Sequence, residues 1–292
     1  MATISADQVK KLRDQTGAGM MECKTALTEA NGDFDEANTI LRKRGLASAQ
    51  KKAGRTASEG LIGNRVSADH STGILVEINC ESDFVARTPD FQQLIKDVLT
   101  EIDKAGDAAS LAWLKDPDGP VQKLVAVKIA KLGENMAVPR FVRYAGQGYV
   151  GQYIHPPGKI GVQVEFAGVT PAISGRQELA ALVKEIAMQI AAASPAPAAY
   201  VSREAVPPDV LEKEKAIYRA QMEQSGKPAN VIDKIVAGKL GSFYAQFVLP
   251  DQESIRDTKL TVKDVLAAAS KTLGAEVTVT RFARLKVGEV SN

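Results

Sequence analysis

Two cysteines among 292 residues, Cys23 and Cys80, form no CxxC pair and cannot build a disulfide framework, so a reducing compartment is the simpler setting. Histidine is as scarce, with only His70 and His155, and the chain has no HExxH and no GxxxxGK[ST] run. Those absences remove the zinc-protease and phosphate-loop readings. Neither sign of charge dominates: 37 basic residues face 35 acidic ones for a net charge of +2, and no global field marks a nucleic-acid binder. No run is long and apolar enough to span a bilayer, and the opening MATISADQVKKL lacks the apolar core of a signal peptide. A cytoplasmic protein is expected.

What is present is a chain long enough for two or three compact units. Ser5 with Gln8 makes a capping-box pattern before a short helix carrying Val9 and Leu12, which Gly17 ends. A second helix follows Gly19 and closes at Asn31 and Gly32. Asp33 with Glu36 opens a third, with Phe34, Ala37 and Leu41 on one face, and Gly45 is expected to stop it. The polar basic stretch SAQKKAGRTASEG reads as a linker.

Beyond Glu59 the pattern changes. EGLIGNRV and GILVEINC read as a hairpin, the helix from Pro89 would cover one face of it, and a second amphipathic helix spans roughly Val121 to Leu132. The same order recurs in YVGQYI, the turn HPPGK, the strand IGVQVEF and a helix with Leu179, Leu182, Val183, Ile186 and Ile190. SPAPAAYVSREAVPPD interrupts with four prolines. VLEKEKAIYRAQMEQ, the turn SGKP and the shorter NVIDKIVAGKL then read as an inserted helical hairpin, before TVKDVLAAASKTLG and AEVTVTRFARLKV return to helix and strand. The fold class is α+β: a three-helix N-terminal bundle over residues 1–55, core subdomains of antiparallel sheets with helices over 56–145 and over 146–198 with 250–292, and the hairpin over 199–249.

Little of this carries chemistry. GQGYVG, Gly146 to Gly151, matches GxGxxG but precedes strand and turn, where a dinucleotide site needs a helix N-terminus. Cys80 alternates with apolar neighbours as a buried thiol would, and Cys23 has no evident base. No catalytic residue, cofactor or metal site is expected. The most informative stretch is EINCESDFVARTPDF, where a strand ends at Cys80 and a helix begins at Pro89 behind the cap Thr88. Asp83 and Phe84 fall in the short loop between them. From the residues alone, Phe84 either caps the local core or is presented to a partner.

TGAGMMECKTALTEANGDFDEA and EINCESDFVAR closely resemble the two signature segments of the bacterial elongation factor Ts family, guanine-nucleotide exchange factors for elongation factor Tu. The similarity continues in order through GENMAVPR, YIHPPGKIGVQVEF, MEQSGKP and AEVTVTRF, so it covers nearly the whole chain. The chain ends soon after KVGE, where some members continue into a helical C-terminal module, so that module's contacts are not expected. The resemblance implies a bundle like a ubiquitin-associated domain, a two-subdomain core, and an inserted antiparallel hairpin that dimerises in some members, so a homodimer is a second partner to consider. It implies that Asp83 and Phe84 enter the partner's GTPase domain near its magnesium and phosphate site, with the ring wedged between helices. His155 corresponds to a histidine that presses on the partner near its phosphate loop, and Lys10, Arg13, Met20 and Met21 to residues on or near the N-terminal contact. Of the methionines, a hundred degrees apart on a helix, one is free to pack inward while the other faces out. Two rivals remain at this point: an RNA-binding translation protein using the basic segment Arg42 to Arg55, which lacks interleaved aromatics, and an adaptor built on the N-terminal bundle.

Overall fold

The computed structural model describes residues 4–146, 148–223 and 228–289. In chain order its elements are α1 (Ala6–Thr16), α2 (Met20–Glu29), α3 (Phe34–Lys52), β1 (Glu59–Val66), β2 (Thr72–Cys80), α4 (Asp83–Ala86), α5 (Pro89–Ala105), α6 (Leu111–Lys115), α7 (Pro120–Leu132), β3 (Met136–Ala145), β4 (Tyr149–His155), β5 (Ile160–Ala167), α8 (Pro171–Ser174), α9 (Gln177–Ala192), α10 (Pro208–Glu223), α11 (Ala229–Phe247), α12 (Val262–Leu273) and β6 (Thr278–Lys286). Two antiparallel three-stranded sheets, ordered β1-β2-β3 and β4-β5-β6, make it an α+β protein. Among the described residues no helix is long and apolar enough to cross a membrane.

Helices α1 to α3 enclose a small core of Val9, Leu12, Cys23, Ala26, Leu27 and Ala37. The capping box at Ser5 and the left-handed Gly17 bound α1 where its sequence places them. Gly45 does not stop α3, which runs on to Lys52. Instead Gly45 is buried against α7, where a Cβ would meet the Ala126 carbonyl oxygen at 3.6 Å and the Ala130 Cβ at 4.0 Å. The supposed linker is likewise helix up to Lys52: Ala49 packs on the core beneath, and Lys52 Nζ donates to the Ile129 carbonyl at 3.4 Å. Small and amphipathic residues face α7 here, so an apolar period is not visible in the sequence. Since an alanine methyl fits at ordinary contact distance, Gly45→Ala is expected to stabilise the protein by about 1 kcal/mol through helix propensity and reduced unfolded-state freedom. Urea unfolding measures it, and a loss of stability would show that α3 and α7 admit no methyl between them.

Strand β3 is the element the sequence hides. Its MAVPRFVRYA carries Pro139, which argues against a strand. The register pairs Glu77 with Arg140 and Asn79 with Ala137, so Val138 and Pro139 together oppose Ile78 in a bulge on an edge strand, where a missing N–H breaks no ladder bond. The second hairpin helix also departs from expectation: α11 is 19 residues long and runs on through Gly241 to Phe247, because Phe243, Tyr244 and Phe247 pack with Val206 and Val248 in a small core of their own. Of the SGKP turn, residues 225–227 lie outside the described residues.

The sheets repeat one another residue by residue. Adding 88 takes Ile62 to Val150, Gly63 to Gly151, Gly73 to Gly161, Glu77 to Glu165 and Ile95 to Val183, while adding 141 takes Arg140 to Arg281. The pairs are structurally equivalent, since Glu77 opposes Arg140 and Glu165 opposes Arg281. The sheets also meet reciprocally. Ile62 N–H donates to the Gly158 carbonyl at 2.8 Å, and Val150 N–H to the His70 carbonyl at 2.7 Å. At Gly73 a Cβ would lie 2.5 Å from Val150, and at Gly161 2.5 Å from Ile62, so both glycines are needed for the sheets to approach. The two shifts, 141 against 88, differ by 53 residues, and the excess of the second repeat holds α10 and α11.

Candidate functional site

Asp83 and Phe84 lie in α4, a single helical turn where the sequence suggests a short loop. Ser82 is its cap, and the sequence signal for it, a Ser before a short polar-apolar run, is easily lost in four residues. Such a turn has almost no intrinsic stability, because nucleation fixes several residues for one bond. Its backbone bonds are long, with Ala86 N–H to Ser82 O at 3.4 Å and Arg87 N–H to Phe84 O at 3.3 Å.

Surrounding contacts hold it. Ala86 is buried and Val85 packs on the core of sheet β1-β2-β3. Thr88 Oγ1 donates to the Val85 carbonyl at 2.8 Å, and Gln92 Nε2 to the Ala86 carbonyl at 3.2 Å. On the other side Glu134 takes the Ser82 N–H on Oε2 at 3.0 Å and the Ser82 hydroxyl on Oε1 at 2.5 Å. One residue on, Asn135 N–H donates to Glu81 Oε1 at 2.6 Å and Asn135 Nδ2 to the Arg55 carbonyl at 2.7 Å. The chain entering β1, the chain leaving β2 and the chain entering β3 are thus tied at one point. Sequence reading misses Glu134, although an acidic residue just after the helix-ending Gly133 was there to be noticed.

With its neighbours anchored, Phe84 is left 79% exposed. It does not cap the local core. Asp83 is half exposed and accepts from Arg87 Nη2 at 2.7 Å, an i,i+4 pair on the surface. Cys80, directly before this turn, is fully buried and its thiol, 3.1 Å from the Ser82 carbonyl, is pushed up to about 12 by burial, which rules out a nucleophile. Burial also raises the Cys23 thiol.

His155 is the exposed last residue of β4, its Nδ1 3.0 Å from the Tyr153 hydroxyl. The turn after it docks on β1: Gly158 O receives the Ile62 N–H, and Lys159 Nζ reaches Glu59 Oε2 at 2.5 Å. Glu59 pairs with Cys80 across the β1-β2 ladder, so the His155 turn and α4 belong to the same end of the double sheet. Beside His155 an apolar hollow of about 280 Å³ is lined by Tyr153, Ile160, Met188 and Ile255.

Lys10 and Arg13 are exposed on α1, Arg13 lying 3.3 Å from Asp14. Met20 and Met21 are both exposed, Met21 at 70%, so neither packs inward. The inward positions of α2 belong to Cys23, Ala26 and Leu27, and the first turn overhangs them. Arg13 and the methionines flank the corner between α1 and α2. The glycines of GQGYVG open no helix: Gly151 lies inside β4, and Gln147 is outside the described residues. Among the described residues no group of three or more His, Cys, Asp or Glu could hold a metal ion.

The basic segment is partly neutralised in place. Arg44 pairs with Glu29 at 2.5 Å and Arg55 with Glu81 at 3.5 Å, while Lys52 is spent on α7. On the hairpin, Ile217 and Val231 are exposed.

Comparison with known proteins identifies the family. A family model described as Elongation factor TS matches residues 81–289. The elongation factor Ts of Trichlorobacter lovleyi is 43% identical over 292 residues, covering 98% of this chain and 93% of that protein. That of Aquifex aeolicus is 42% identical over 295 residues, covering 98% of each, and one from Clostridium botulinum is 43% identical over 293 residues, 98% of this chain and 93% of the relative. The chain therefore belongs to the elongation factor Ts family, the nucleotide exchange factors of translation elongation.

Proposed function

We propose that this protein binds elongation factor Tu and speeds GDP release by inserting Phe84 beside the magnesium and phosphate site, with no covalent step. The observation that carries the reading is a large aromatic ring left in solvent on a turn that four separate contacts immobilise. A phenylalanine so placed is stabilised only by entering a cleft, and burying it is worth about 1.5–3 kcal/mol. Asp83 brings a carboxylate towards groups that hold the cation, which weakens the nucleotide without competing for its base.

His155, at the same end of the double sheet, is the second contact with the GTPase domain in this reading, its apolar hollow receiving a side chain of the partner. Lys10, Arg13, Met20 and Met21 form the third, through two exposed methionine side chains that adapt to an apolar surface. Several contacts are required, since each tenfold loosening of GDP needs about 1.4 kcal/mol of coupling. By reciprocity GDP weakens the factor's own binding by the same ratio, so the stable complex is nucleotide-free and GTP expels the factor. The exposed Ile217 and Val231 make the hairpin the surface for a second copy.

Release of fluorescent GDP from elongation factor Tu, with and without the protein, tests the reading. Catalytic amounts are expected to raise the release rate, and an unchanged rate despite binding would leave only an adaptor.

A further inference from the structure

We infer that Glu134 is a positioning residue for exchange: its carboxylate, clamped on Ser82, fixes the turn that aims Phe84. The inference rests on Phe84 acting as the wedge, and adds the residue that makes it rigid. Glu134 stands between the left-handed cap Gly133 of α7 and the first residues of β3, both rigid supports. Both its oxygens go to a single residue, one to the Ser82 N–H and the other to the Ser82 O–H. The same hydroxyl oxygen accepts from the Val85 N–H at 3.3 Å. Ser82 therefore relays the anchor: Glu134 fixes the hydroxyl, and the hydroxyl fixes the first turn on which Phe84 sits.

Most of the other supports of α4 act after Phe84. Val85 and Ala86 pack below, Thr88 and Gln92 hold the carbonyls of Val85 and Ala86, and Arg87 reaches only the exposed Asp83. Ahead of Phe84 the turn is held by the Glu134 clamp on Ser82 and by the Cys80 thiol, a weak donor, on the Ser82 carbonyl, while one residue earlier Glu81 is tied through its side chain to the Asn135 N–H. Without the carboxylate the residues ahead of Phe84 gain backbone freedom, and ordering even one of them on docking costs about 1–2 kcal/mol, or roughly tenfold in rate. The core depends little on the clamp, because α4 gives it only the buried Ala86 and the partly buried Val85.

Glu134→Ala, Glu134→Gln, Phe84→Ala and the double variant Phe84→Ala with Glu134→Ala separate the roles in stopped-flow GDP release at rising factor concentration. Loss of positioning lowers the maximal rate, by about tenfold for Glu134→Ala. Loss of folded protein would instead shift the half-saturating concentration and leave the maximum unchanged, which overturns the inference. Glu134→Gln keeps an acceptor for the hydroxyl and none for the N–H, so an intermediate maximum is expected at the parent's melting temperature. It decides the matter if Glu134→Ala does not fold, and a full maximal rate refutes the inference. In the Phe84→Ala background, Glu134→Ala is expected to cost nothing further, and an added loss would show that Glu134 acts elsewhere. A Phe84→Ala protein with the parent's full rate removes the wedge itself, and the clamp with it.

Discussion

Phe84→Ala is expected to leave the melting temperature within about a degree of the parent and to slow factor-stimulated GDP release about thirtyfold, as for loss of a hot-spot aromatic worth about 2 kcal/mol. The two halves of that expectation have separate causes. Stability is unaffected because the ring is in solvent, while the turn's internal contacts come from Ser82, Val85, Ala86 and Thr88. Exposed alanine substitutions away from buried groups change stability by less than about 0.5 kcal/mol. Exchange is affected because the ring's burial free energy is realised only in the complex that loosens the nucleotide, so its loss falls on the rate of release. Differential scanning calorimetry and stopped-flow release of labelled GDP read the two halves independently. A protein destabilised by 3 kcal/mol or so with normal activity per folded molecule would place Phe84 in a core.

How much of this was legible beforehand depended on local signals. The caps at Ser5, Asp33, Thr88 and Thr261 each use a side chain that bonds a backbone N–H within the next turn, and such helix starts stand in the sequence as they stand in the structure. Alternation marked β2 and β5 because the face towards the helices is apolar, while the other face carries buried, hydrogen-bonded polar residues, Glu77 and Asn79 in β2 and Gln163 and Glu165 in β5. What was hidden depended on distant partners. Gly45 looks like a helix stop until α7 is beside it, and Pro139 argues against a strand until the bulge opposite Ile78 places it on an edge. The same holds at the site. Asp83 and Phe84 could be picked out as a pair, but the clamp from Glu134 spans 52 residues in sequence and no periodicity announces it. The exposure of both methionines likewise follows from where α2 begins, a boundary that adjacent-residue geometry does not fix.

The largest loss of stability is expected at the joint between the sheets, from Arg140→Met. Glu77 is almost completely buried, and its charge is met by Arg140 Nε at 2.7 Å, Asn79 Nδ2 at 3.0 Å and the Gly288 N–H at 2.8 Å. Arg140 Nη2 also donates to the Lys286 carbonyl at 2.9 Å, so the pair ties β2 and β3 to the end of β6. Methionine keeps the packing of the stem but leaves a buried carboxylate with neutral donors only, a change that costs about 3–5 kcal/mol. The repeat supplies an internal control. Glu165 holds the equivalent place, with Arg281 at 2.9 and 2.7 Å and the Thr280 hydroxyl at 2.9 Å, and Arg281 Nη2 reaches back to the Ala145 carbonyl at 3.5 Å. Its side chain is more open, 11% exposed against 3% for Glu77, so water can replace part of what Arg281→Met removes. The second variant is therefore expected to lose less than the first in urea unfolding at neutral pH. Its deficit also depends on pH. The hydrogen bonds from Arg281 hold the Glu165 carboxyl below the usual range. A carboxylate depressed in the folded state contributes stability that is present above its unfolded value and lost as pH falls through the folded one. The gap between parent and Arg281→Met should accordingly be widest near neutrality and close in acid below the ordinary carboxylate range. If both arginine variants unfold with the parent, neither carboxylate is the charge that its partner compensates, and an Arg281→Met deficit that stays constant into acid removes Glu165 from that role.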